Sequence, residues 1–66
     1  MPPSDLDIWR SANLIITQYG VGAWIHAATK SRELEESGDA VGSVLWRRIA
    51  SAIAELEDVD LKSKPN

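Results

Sequence analysis

DAVGSVLWRRIASAIAEL, residues 39–56, carries the longest unbroken helical pattern in the chain, and its reading governs how the remainder is read. At about 100° per residue, Val41, Leu45, Ile49, Ala52, Ile53 and Leu56 fall on one stripe, with Trp46 on its flank. Asp39 offers a carboxylate to the free N–H groups of the first turn, and Gly38 suits the left-handed ending of a preceding helix. Such a helix is not stable alone in water, so its apolar face needs partners from elsewhere in the chain. Gly42 also lies on the stripe. A glycine there costs about 0.5–1 kcal/mol against alanine, and it is expected to admit a neighbouring ring or backbone.

Working outward, helix signals recur twice upstream. After Met1-Pro2-Pro3, Ser4 is a cap with Asp7 three residues on, an approximate capping box. Ile8, Trp9, Ala12, Ile15, Ile16 and Tyr19 then share a face, which predicts a helix over about 5–19. Gly20 is its stop, with Val21 placed to pack back on Ile16. A second helix is predicted over about 23–37, with Ala23, Trp24, Ala27, Ser31 and Leu34 facing inward. The small side chains let helix axes approach, and the single tryptophan fills the space left. Downstream of Leu56 the pattern fades, and Glu55, Glu57 and Asp58 sit where the helix dipole disfavours acids. The third helix is therefore expected to end near 57. Short connections make consecutive helices antiparallel neighbours. The expected fold is all-α, an up-down-up bundle of three helices (about 5–19, 23–37 and 40–57) with a disordered C-terminal tail. It would be one domain over 1–66, ordered over about 4–58, with 1–3 and 60–66 flexible.

Sixty-six residues lie near the lower limit for a core that holds a fold without staples. The absence of cysteine excludes disulfides and thiolate metal sites. The longest uncharged run, 11–29, contains Asn13, Gln18, His26 and two glycines at its middle, which argues against a membrane span. MPPSDLDIWR at the start lacks the basic and apolar regions of a signal peptide, so a cytoplasmic protein is expected. A net charge of −3 argues against a nucleic-acid module.

The pattern Trp9-x-x-Ala12, Gly20, Ala23-x-x-x-Ala27, Leu34-x-x-x-Gly38-Asp39, Trp46-Arg47-Arg48-Ile49 and Ala52-Ile53-x-x-Leu56 resembles a family of short, uncharacterised helical proteins from alphaproteobacteria. The resemblance covers about Asp5 to Leu56, with Val21-Gly22 standing where that family more often has an acidic cap. It implies a small helical protein and no particular activity. More loosely, the second and third helices resemble one tetratricopeptide-type hairpin, of which a single copy lacks the stacked neighbours that build a groove.

Residues able to carry chemistry are few. His26 is the only histidine; the wheel sets it beside solvent, without the further ligands a metal needs or the orienting partner a base needs. Ser11, Ser43 and Ser51 lack a nucleophile context. Gly20-Val21-Gly22 opens a helix as phosphate loops do, but neither a strand nor a Lys-Ser/Thr pair accompanies it. No catalytic, metal or cofactor site is expected, and the protein is not expected to be an enzyme. Two surface readings remain. Arg10, Lys30, Arg32, Arg47 and Arg48 form a candidate basic patch, which would serve a nucleic-acid-associated regulator; the bland alternative pairs them with Glu33, Glu35 and Glu36. Leu14, Ile25 and Val44 point away from the core face of their helices and, edged by Trp46, form a candidate surface for an unknown protein partner or a homodimer. The expected function is a small non-enzymatic protein–protein interaction module that can self-associate.

Overall fold

The three prolines stand at positions 2, 3 and 65, so no residue between them lacks the N–H a helix requires. The computed structural model describes the backbone of residues 5–63 and the side chains of residues 5–57. These residues form α1 (Asp5–Tyr19), a 3-10 turn (Gly20–Gly22), α2 (Ala23–Glu36) and α3 (Ala40–Ser63). Among them, no helix is long and apolar enough to cross a membrane. The expected Ser4 cap and the expected flexible residues 1–3 and 64–66 lie outside the described residues.

The expected three-helix bundle is corrected by this order. From Asp5 to Glu36 the chain is helical throughout, so the described residues comprise two helical runs, a bent arm of 5–36 and α3. The Ala23 N–H bonds to the Gly20 carbonyl, which carries the helical ladder through the junction. Gly20 alone is left-handed, at φ +57°. One such residue bends a helix without providing the loop that a reversal needs. The partners along α3 agree. Asp5 bonds to Arg48, and Ile8 and Trp9 share a groove with Ser51 and Ala52. Leu14 and Tyr19 lie instead beside Leu45 and Trp46. An up-down-up bundle would set the start of α1 beside the start of α3. Val21, meant to pack back on Ile16, is 98% exposed on the outside of the bend.

The junction at 37–39 matches its expected form. Gly38, at φ +92°, donates to the Glu35 carbonyl at 3.1 Å, and Asp39 N–H donates to that of Leu34 at 2.8 Å, a Schellman ending. Asp39 Oδ1 then accepts the Gly42 N–H at 2.9 Å and caps α3. The space above Gly42 is occupied by this carboxylate and by Leu34 Cδ1, rather than by a ring or backbone. At the far end α3 continues to Ser63, past the expected limit of 57 and into the segment expected to be a flexible tail. Glu55 and Glu57 thereby become interior to the helix, where the dipole penalty fades.

The core consists of Ile8, Ala12, Ile15, Ala23, Ala27, Ile49, Ala50, Ala52 and Ile53. Its many alanines bring α2 and α3 close, and the floor of that contact is a buried polar link. Ser31 Oγ donates to the Ser43 carbonyl at 2.9 Å, and the two hydroxyl oxygens lie 3.2 Å apart. Three residues of the predicted stripes, Tyr19, Trp24 and Val41, are exposed. Val41 is 84% exposed because α3 begins beyond the reach of α1, and Trp24 is 47% exposed beside α3. Arg48 Nη2 donates to Asp5 Oδ1 at 2.8 Å and ties the start of α1 to α3. With Asp5 mostly exposed, the pair contributes about 0–1 kcal/mol.

Candidate functional site

Tyr19 ends α1 and His26 lies in the second turn of α2, seven residues on. On a straight helix that spacing would separate them by about 10 Å along the axis. The bend at Gly20 closes the gap, and their rings stack with centroids 4.1 Å apart at 15°. The edge of Trp46, from α3, meets His26 at 5.8 Å and 82°, the T-shaped geometry favoured by ring quadrupoles. His26 is thus half-buried between two aromatic rings, a correction to its expected place in solvent.

This aromatic clasp forms one end of a groove of about 390 Å³ between α1 and α3. Leu14, Ile15, Leu45 and Ile49 supply its apolar walls, and Ser11 and Gln18 its polar edge. No Asp, Glu, Lys or Arg lines it. Among the described residues no group of three His, Cys, Asp or Glu side chains is placed to hold a metal ion.

Of the four residues of the candidate interaction surface, the structure brings Leu14 and Trp46 together in this groove. Ile25 is exposed but lines a different groove, with Trp24 and Arg32. Val44 is exposed about 140° round α3 from Ile49 at 100° per residue. Tyr19 and His26 were missed because each was placed by the wheel of its own helix. Seven-residue spacing puts them on one face but about 10 Å apart on a straight helix, so the pairing depends on the bend at Gly20.

Of the five basic residues, Arg47 and Arg48 are drawn apart. Arg47 Nη2 lies 3.8 Å from Glu35 on α2, and Arg48 bonds to Asp5 on α1, so consecutive arginines are drawn to opposite sides of α3. Arg32 lines a groove with Arg47, while Arg10 and Lys30 are exposed and line neither arginine's groove. Gly20-Val21-Gly22 is the helical bend itself. No family model, curated protein or solved structure matches the chain. The resemblance to short alphaproteobacterial proteins therefore rests on the residue spacing alone.

Proposed function

We propose that the protein acts by contact with another protein chain, its own copy being the simplest partner, through the groove between α1 and α3. The observation that carries this reading is the groove's composition: Leu14, 57% exposed, stands beside Tyr19, His26 and Trp46 with no charged Asp, Glu, Lys or Arg side chain among them. A chain of net charge −3 repels its copies at long range. A crease free of Asp, Glu, Lys and Arg lets two copies meet without those charges opposed across the contact. Trp46 has the character of an interface anchor, a large ring already held at its edge. A two-fold pair, in which the same surface meets itself, is the simplest closed arrangement.

Sedimentation velocity over a concentration series tests the reading. Wild type should pass from monomer to dimer, and added salt should strengthen the dimer by screening the net charge. Leu14→Lys should weaken association at least about tenfold. Its helicity and melting should stay unchanged, since the side chain is exposed. Ile25→Lys, on the other groove, should associate as wild type does. A wild-type chain that remains monomeric up to millimolar concentration would remove self-association. Nucleic-acid association through Arg47 and Arg48 draws no support from arginines that face carboxylates on two different helices.

A further inference from the structure

A tryptophan among the small residues of α2 would be expected to fill the core, yet Trp24 stands half out of it. It lies between two open grooves of about 370 and 330 Å³, and Ala28 and Arg32 line both with it. The larger groove runs along the crease between α2 and α3. Ala50 and Ser51 form its wall opposite Trp24, and Arg47, about one 5.4 Å turn before them on α3, stands toward its other end. Small side chains on both helices keep the crease open, so a flat ring has room to lie against the indole.

Arg32 and Arg47 both line this larger groove, with Glu35 beside them. Arg32 makes no ion pair among the described residues, and Arg47 makes only a loose one, 3.8 Å to Glu35 with both side chains about two-thirds exposed. An incoming oxyanion therefore displaces little. The geometry points to a binding site for a nucleoside phosphate, with the base stacked on Trp24 and the phosphate held between Arg32 and Arg47. An indole accepts any base by its face, and guanidinium forks match phosphate oxygens. Glu35, in the same groove, and Glu36, next to it in sequence, decide the size of the ligand. They repel an extended polyanion more than one compact phosphate, so the ligand is a free nucleotide in preference to a nucleic-acid strand.

Titrating isotope-labelled protein with AMP reads the indole N–H signals of Trp9, Trp24 and Trp46 separately by NMR. The Trp24 signal should move and saturate, while the other two stay. Adenosine alone and inorganic phosphate alone should each bind at least about tenfold more weakly than AMP. Arg32→Gln and Trp24→Leu should each weaken AMP by about fivefold or more, with circular dichroism and denaturant midpoint as in wild type. A Trp24 signal that does not move at high millimolar AMP overturns the site, as does an Arg32→Gln variant that binds like wild type. A short single-stranded oligonucleotide should bind no more tightly than AMP. Much tighter binding of the oligonucleotide overturns the assignment to a free nucleotide.

Discussion

The Asp39 carboxylate holds the Gly42 N–H through Oδ1 at 2.9 Å, and its other oxygen lies 2.6 Å from where a β-carbon on Gly42 would stand. The cap and the glycine are therefore coupled. Asp39→Ala should cost about 1 kcal/mol, the usual value of a lost N-cap. Gly42→Ala should give no net stabilisation in the native background. The roughly 1 kcal/mol that helix propensity favours is offset by displacing the capping oxygen. Once Asp39 is alanine, the two nearest atoms are gone and Leu34 Cδ1, at 3.1 Å, remains against the new methyl. A flexible leucine yields readily, so Gly42→Ala should then stabilise by about 0.5–1 kcal/mol. Denaturant unfolding of the four proteins measures the coupling, and additivity within about 0.5 kcal/mol would show that the carboxylate does not control this site. The stripe pattern marked Gly42 as a close approach, but which group approaches depends on the cap's side-chain rotamer, and no periodicity encodes that.

Two glycines only two residues apart play unlike parts in the bend between α1 and α2. Gly20 has φ +57°, whereas Gly22 has φ −88° and open space where a β-carbon would point. Gly20→Ala should therefore destabilise by about 1 kcal/mol, and Gly22→Ala should stabilise by about 0.4–1 kcal/mol by restricting the unfolded chain. Thermal melts of the two variants moving in the same direction would show the bend to be placed wrongly. The end of α2 was legible because Gly38 and Asp39 carry complete local instructions, one for stopping a helix and one for starting the next. Gly20 is more ambiguous. A left-handed glycine ends a helix whether the chain then reverses or merely bends, and the choice falls to the packing of Ala23 and Ala27 against α3. The continuation of α3 to Ser63 was hidden for a related reason. Acids at 55–58 oppose a helix end, and they oppose it much less once they are interior.

Both halves of the bent arm pack chiefly on α3, and α1 touches α2 least. This division also separates the contacts by range along the chain. Ser31 meets Ser43 across 12 residues, while Asp5 reaches Arg48 across 43. Closing the longer loop costs about 1 kcal/mol more in chain entropy. The α2–α3 pair should therefore form first and α1 dock late. In stopped-flow kinetics Ala27→Gly should slow folding, while Ile8→Val should mainly speed unfolding. The reverse assignment of the two effects would place α1 in the nucleus. The helical class and the identity of Ile49 and Ile53 as core were legible from the stripe of 39–56. The exposure of Trp24 and Val41 was not, since a helical wheel reports which residues share a face and not how far along the axis a neighbour reaches.

The dependence of 5–36 on α3 has a consequence for the chain during synthesis. The arm emerges from the ribosome first, carrying Ile8, Ile15 and three alanines that only later find cover. Within the arm α1 and α2 touch each other little, so most of this cover waits for α3. The interval until Ile53 clears the exit tunnel is thus the period in which a nascent chain is open to chaperones and proteases, and slow codons placed within α3 would lengthen it.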